Sequence, residues 1–266
     1  MTVYVEKDGP VTTVIMERPD ARNAVDPATA DALVVAFEAF DRDPDARAGV
    51  FFGSHGAFCA GLDLKYGASL QGKDVRAELA LDFLADGAPP PRGPMGPSRL
   101  ELGKPVIAAV AGPAVAGGME LALWCDMRVM EEDAYFGVYC RRWGVPLVDG
   151  GTVRLPRIVG MGRAMDLILT GRKVSADEAY RIGLCERVVP RGKAREAAEQ
   201  LAREIARFPQ GAVRADRRSA YETHGLAVRD ALALEWRNGM PAMVEAVQGA
   251  GAFAAGKGRH GDFTAI

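Results

Sequence analysis

Apolar and polar residues alternate along the chain in a few clear patterns. Residues 3–6 and 11–17 are short runs rich in Val, Thr, Tyr and Ile, which predict two strands; Asp8-Gly9-Pro10 between them is a turn signal, so they form a hairpin or a loose pair. Residues 27–41 repeat apolar positions at helical spacing through Leu33, Val34, Phe37 and Phe40, with Asp26 as cap and Pro27 at the first helical position. Residues 47–53 and 105–111 are compact apolar runs and predict buried strands, as do residues 127–131. Gly117 and Gly118 open an apolar helix that runs to about Cys125. Short helices are predicted at 152–159 and 161–170, and Ser175-Ala-Asp-Glu178 is a capping box for a helix ending near Gly183. From there the pattern is helical over 192–207, 211–222 and 226–250. Strand and helix alternate in the first half, which argues an α/β class with a largely parallel sheet. The division expected is an α/β core over 1–190 and a helical C-terminal region over 191–266, packed on the core or on a neighbouring subunit.

One stretch breaks the pattern. Residues 86–97 hold Pro89, Pro90, Pro91, Pro94 and Pro97 with three glycines, so they form neither a helix nor a central strand. The expectation is a surface loop, either beside a ligand site or an inert insertion.

Composition narrows the chemistry. The chain has 266 residues, is 48% hydrophobic and carries 33 basic against 35 acidic residues. A net charge of -2 gives no electrostatic case for nucleic-acid binding. Cys59, Cys125, Cys140 and Cys185 form no C-x-x-C pair, and His55, His224 and His260 form no H-E-x-x-H, so no protein-held metal is expected. The opening Met-Thr-Val-Tyr-Val-Glu-Lys lacks the apolar run of a signal peptide, and no stretch reaches membrane-spanning length. The expectation is a cytoplasmic protein with reduced thiols and no membrane partner. No phosphate-binding P-loop is present, Gly160-Met-Gly162 lacks the third glycine of a dinucleotide fingerprint, and Gly53-Ser54-His55-Gly56 is not a nucleophile elbow.

Two segments carry candidate chemistry. Gly56-Ala57-Phe58-Cys59-Ala60-Gly61-Leu62-Asp63-Leu64 follows a buried strand and leads into a short helix, with small residues that allow close backbone approach. The segment from Ile107 to Asp126 is a strand, a glycine-containing loop and the helix opened by Gly117-Gly118, whose free N–H groups favour negative charge. Together they resemble the crotonase (enoyl-CoA hydratase/isomerase) superfamily. Arg18-Pro19-Asp-Ala-Arg22-Asn23-Ala24, the run from Phe136-Gly137 through Gly144 to Gly150-Gly151-Thr152-Val-Arg154-Leu155, and Ser175 to Leu184 followed by Val188-Val189-Pro190 extend the resemblance over almost the whole chain.

The resemblance implies a crotonase-like (ββα)n spiral core that processes acyl-CoA thioesters, with CoA arriving as part of the substrate and no other cofactor. It implies an oxyanion hole from the backbone N–H groups of Leu62 and Gly117, where two fixed donors stabilise a thioester enolate. Ala24, Ala60, Asp63 and Leu64 fall where the family holds CoA, and Arg22 where it meets the CoA phosphates. Tyr66, Trp143 and the proline-rich stretch are candidates for shaping the acyl pocket. Family hydratases use two glutamates about a water; Glu120 matches one and Cys140 stands at the other. A thiol replaces a carboxylate only with a strong pKa shift, for which Arg141 or Arg142 is the available source. Asp149, one position later than a working aspartate of some members, is either a site residue or a helix cap. Hydration of 2-enoyl-CoA leads; double-bond isomerisation or thioester hydrolysis, and acyl-CoA binding without catalysis, are the alternatives. The resemblance also implies a homotrimer or a dimer of trimers.

Overall fold

The computed structural model describes residues 2–83 and 88–258; positions 86 and 87 of the proline-rich stretch and 259–266 of the C-terminal region lie outside the described residues. Strands β1 (Val3–Asp8) and β2 (Val11–Met16) pair antiparallel about Gly9, whose φ of +54° suits glycine. Helix α1 (Pro27–Arg42) starts at its predicted cap: Asp26 Oδ1 accepts the Thr29 N–H at 2.8 Å. Then come β3 (Ala48–Gly53), α2 (Leu64–Ser69), α3 (Val75–Leu79), β4 (Val106–Val110), β5 (Pro113–Val115), α4 (Gly117–Trp124), β6 (Met127–Glu131) and β7 (Tyr135–Gly137). A 3₁₀ turn (Tyr139–Trp143) leads to α5 (Gly151–Val159), α6 (Met161–Thr170), β8 (Lys173–Ser175), α7 (Ala176–Arg181) and β9 (Arg187–Val189). Four helices close the described chain: α8 (Ala194–Ala206), α9 (Gln210–Glu222), α10 (Val228–Gly239) and α11 (Met243–Ala254).

Two sheets result. The larger has the order β1-β2-β3-β4-β6-β9, parallel from β2 onward, and the smaller is β5-β7-β8. The chain spirals: β4, β5 and α4 make one turn, β6 and β7 lead the next, and β3 leads an earlier one in which Cys59 bridges Ala114 beside the small sheet. This is the expected crotonase-like (ββα)n core with a helical C-terminal region. Strands β5, β7, β8 and β9 have three residues each, too few for a period-two pattern to show.

The large sheet is buried on both faces, as continuous apolar strands require. Val106, Ala108 and Val110 of β4 join the cluster of α1 and α4, where Phe37 meets Phe51 edge-on at 5.1 Å and Trp124 at 4.8 Å. Ile107 and Ala109 face Ala194, Ala198, Leu201 and Ala202 of α8. The first helix of the 191–266 region, α8, thus packs on the core. Arg217 Nε (2.8 Å) and Tyr221 OH (2.7 Å) both donate to Asp126 Oδ1, fixing α9 to the core. Residues 226–250 do not form one helix. Pro241 lacks an N–H, and a 3₁₀ turn (Met240–Ala242) separates α10 from α11. Neither of those helices buries a side chain, and Val228, Trp236, Val244 and Val247 are exposed. Among the described residues no helix is long and apolar enough to cross a membrane.

Candidate active site

The site begins with a joint between backbones. Asn23 donates through Nδ2 to the carbonyls of Ser54 (2.9 Å) and Ala57 (2.7 Å) and accepts from the Arg18 N–H, which pins the loop after β3. The Ala60 N–H donates to Arg22 O, the Val25 N–H to Gly61 O, and the Asp63 N–H to Val25 O. Leu62 lies between these bonds with its own N–H unused. Gly61, at φ +94°, brings the segment against the start of α4: a Cβ there would lie 2.9 Å from Ala116 Cβ and 3.2 Å from Gly117 N. A Cβ on Gly118 would overlap the Cys59 carbonyl. Ala116 holds φ +52° and ψ −126°, an uncommon conformation for alanine, while its N–H donates to Gly137 O at 2.8 Å. Among the described residues neither the Leu62 N–H nor the Gly117 N–H has an acceptor. Two free donors thus sit side by side at the positive end of a helix.

Glu120 lies one turn further along α4 and is buried. Its Oε1 accepts the N–H groups of Asp149 (2.9 Å) and Gly151 (2.8 Å). Burial, and then the nearby Asp149 charge, push its carboxyl up to about 7, against the pull of those two N–H groups and Arg154. Glu120 shares a narrow crevice with Ala116, Met119, Leu123, Val138, Leu147, Gly151 and Leu155.

Cys140 is buried close to Glu120. Burial and the Glu120 charge push its thiol up, outweighing Arg141. A thiolate, for which Arg141 or Arg142 was the available source, is therefore not supported, and the structural reading of Cys140 stands. Arg141 Nε donates instead to Ile168 O at 3.2 Å, and Arg142 stacks on Tyr139 at 4.0 Å.

Asp149 is not a helix cap: the residue before α5 is Gly150, with no side-chain cap. Its buried carboxylate accepts the Met95 N–H at 3.0 Å and the Ser98 hydroxyl. Burial pushes it above the ordinary aspartate value. This corrects the expectation for the proline-rich stretch. Residues 88–90 are exposed, but Met95, Pro97 and Ser98 turn inward and are buried. Gly93 and Gly96 exchange hydrogen bonds at 3.0 and 2.9 Å, and Gly96 at φ +91° makes the bend possible.

The remaining expected residues are dispersed. Arg22 is exposed in a left-handed conformation at φ +48°. Ala24 is buried, and its carbonyl accepts from Arg18 Nη1. Ala60 is half-buried and Leu64 exposed. The Asp63 carboxylate is committed: Oδ1 caps α2 through the Lys65 N–H at 2.9 Å, and Oδ2 pairs with Arg18 at 2.9 Å. Burial raises it, but the Arg18 bond and the two N–H groups it accepts hold it below the usual carboxylate range. Tyr66 is half-buried, and Trp143 is 69% exposed; neither lines the crevice at Glu120. Sequence reasoning gave no role to Met95, Ser98 or Arg154. Arg154 donates to Asp149 O at 3.0 Å and Ser98 O at 2.8 Å. Contacts this far apart in sequence leave no local signal; only Asn23 had one, in its Arg-Pro-x-x-x-Asn-Ala element. Among the described residues no group of three or more His, Cys, Asp or Glu side chains is placed to hold a metal ion.

Free amides at a helix start, above a buried carboxylate in a two-sheet spiral, suit a protein that stabilises a developing oxyanion. The family model described as enoyl-CoA hydratase/isomerase matches residues 6–86 and 97–254, and the chain belongs to that family. It is 38% identical over 259 residues to the enoyl-CoA hydratase EchA19 of Mycobacterium tuberculosis, covering 94% of this chain and 92% of the relative. It is 35% identical over 209 residues to a carnitinyl-CoA dehydratase of Salmonella typhimurium, covering 77% and 74%. Among solved structures, the enoyl-CoA hydratase EchA1 of Mycobacterium marinum superposes with a TM-score of 0.84 at 33% identity, covering 96% of both chains. An enoyl-CoA hydratase of Bacillus anthracis gives 0.85 at 30% identity, again covering 96% of both.

Proposed function

We propose that this chain processes acyl-CoA thioesters and adds water across the C2–C3 double bond of a 2-enoyl-CoA. The observation that carries the reading is the pair of N–H groups at Leu62 and Gly117, without acceptors among the described residues, one helical turn from a buried Glu120 whose carboxyl is pushed up to about 7 by burial and the Asp149 charge. The thioester oxygen accepts from both amides. Glu120 takes a proton from water as the water oxygen bonds to C3. The double-bond electron pair moves toward the thioester, and the enolate oxygen is stabilised by the two donors as its charge develops. The Glu120 carboxyl then gives its proton to C2, which restores the thioester and the carboxylate. The Cys140 thiol, held protonated, takes no base role.

A single working carboxylate also suits moving a proton along an enoyl chain, so double-bond isomerisation is the second reading. CoA is carried by the substrate, with Ala60, Asp63 and Leu64 along its adenine end and Arg22 at its phosphates; no metal or redox group takes part. The exposed apolar residues of α10 and α11 support self-association, read here as a homotrimer or dimer of trimers in the cytoplasm.

The test is crotonyl-CoA hydration by wild type and Glu120→Gln, with binding of a saturated acyl-CoA as control. Loss of about 10²–10⁴ in kcat with binding retained is the expected result. In wild type, kcat/KM falls as pH drops below about 7, because the carboxylate form acts as base. Turnover of a 3-enoyl-CoA without hydration would replace the hydratase by an isomerase; release of free CoA thiol, by a hydrolase; binding with no turnover, by an acyl-CoA-binding protein.

A further inference from the structure

We propose that Asp149 is a positioning residue that sets both halves of the site at once, seating Glu120 through its backbone amide and tying down, through its carboxylate, the 95–98 turn that covers Gly117. The inference rests on the site reading above and adds a residue that acts through others.

The geometry runs in two directions from one residue. On the main-chain side, the Asp149 N–H meets Glu120 Oε1 at 2.9 Å, and the Gly151 N–H meets the same oxygen at 2.8 Å. Their fixed spacing holds Oε1 of the glutamate, and among the described residues Oε2 has no hydrogen-bond partner. On the side-chain side, Asp149 Oδ1 accepts the Met95 N–H at 3.0 Å and the Ser98 hydroxyl. The turn so held lays Met95 against the oxyanion donor: a Cβ on Gly117 would lie 2.5 Å from Met95 Sδ. Arg154 closes the arrangement by donating to the carbonyls of Asp149 and Ser98. A buried carboxylate holding two donors from a segment more than 50 residues away is a costly feature to keep unless those donors need a fixed place.

The charges around the pair decide the test. Glu120 is faced by Asp149, Arg154 and the Cys140 thiol. Asp149 is faced by Ser98, Arg99 and Arg154, with the Cys59 thiol nearby. Asp149→Asn keeps the backbone amide and an acceptor oxygen for Met95 and Ser98, and removes only the negative charge. Glu120 then ionises more easily.

The experiment compares wild type, Asp149→Asn and Asp149→Ala by the pH profile of kcat/KM for crotonyl-CoA hydration and by a carboxyl ¹³C NMR titration of Glu120, assigned with Glu120→Gln. In Asp149→Asn the acidic limb and the NMR midpoint move to lower pH by about one unit. In Asp149→Ala the loosened turn lowers kcat by roughly ten- to a hundredfold. An Asp149→Asn midpoint left where it is in wild type would mean that Asp149 does not face Glu120, and that result overturns the proposal, as does Asp149→Ala turning over within twofold of wild type. If Asp149→Ala does not fold, Ser98→Ala removes one of the two donors that the carboxylate holds, and a kcat within twofold of wild type overturns the proposal. If wild type does not hydrate crotonyl-CoA, the hydratase reading falls, while the NMR midpoint still moves or stays and so still decides the role of Asp149.

Discussion

The two halves of the site are built from different materials. The proposed oxyanion half is main chain: it would use the N–H groups of Leu62 and Gly117, and the residues around them are small because backbones meet there. The other half is side chain: Glu120 on α4 is the proposed base, with the Cys140 thiol on the 3₁₀ turn and the Asp149 carboxylate on the loop before α5 packed around it. A main-chain donor survives most substitutions at its own position, so the first half serves any reaction that makes a thioester enolate. The second half is proposed to decide which reaction follows, and there the resemblance sets the Cys140 thiol at the position of a carboxylate. What varies within such a fold is therefore expected in the second half, on an unchanged first half.

The strongest way to break the main-chain half is to add an atom where the backbones touch. Gly118→Ala places a methyl group onto the Cys59 carbonyl, which has no side-chain freedom to yield. The expected outcome is a loss of about 3 kcal/mol or more in chemical denaturation, together with loss of acyl-CoA binding. By contrast Leu62→Ala keeps the donor, and kcat changes by no more than about threefold. If Leu62→Ala behaved like Gly118→Ala, the donor at 62 would depend on its side chain, and the distinction between the halves would fail.

The same distinction explains what the sequence made legible. The main-chain half leaves glycines and small residues in the sequence, and the resemblance they carry pointed to Leu62, Gly117 and Glu120; the structure brings Gly61 against the start of α4, with Glu120 one turn along it. The capped helices α1 and α7 were legible because Asp26 and Ser175 are local signals. The small sheet was not, since its three-residue strands carry no period. The 86–97 stretch misled for a physical reason: proline and glycine mark a chain without regular structure, but not whether it is buried. Burial there depends on an acceptor supplied by Asp149, 54 residues from Met95. Cys140 was legible as a departure, while its protonated state needed the buried surroundings of the fold.

A smaller effect sharpens the side-chain half by stability alone. Glu120 has a folded-state value of about 7 against 4.5 for the free side chain. The folded protein therefore favours the protonated form. The stability this contributes is fully present below pH 4.5 and is lost as pH rises through about 7. Glu120→Gln keeps an acceptor for the two N–H groups and carries no charge. Relative to wild type, it gains about 3 kcal/mol between pH 4.5 and pH 8. Urea denaturation of both proteins at the two pH values measures the gain. An unchanged difference would mean that Glu120 ionises as freely folded as unfolded, and its proposed role as a base poised near neutrality would lose its physical basis.

The smallest effect is expected from Trp143, and it concerns where the side-chain half ends. Trp143 lies only three residues beyond Cys140, so proximity in sequence made it a candidate for the acyl pocket. The 3₁₀ turn points the two residues differently: Cys140 is buried at 7% exposure, whereas Trp143 is 69% exposed. The crevice that Glu120 shares is instead lined by residues such as Leu147 and Leu155. Trp143→Ala should leave kcat/KM within about twofold across short and long 2-enoyl-CoA substrates, as for a surface side chain. Leu147→Ala removes part of a wall that substrate must meet and shifts the preference toward bulkier acyl groups. A chain-length preference that moved with Trp143 and not with Leu147 would put the acyl group on the outer side of the 3₁₀ turn. The carboxylate of Glu120 would then serve a different face of the substrate from the one the crevice defines.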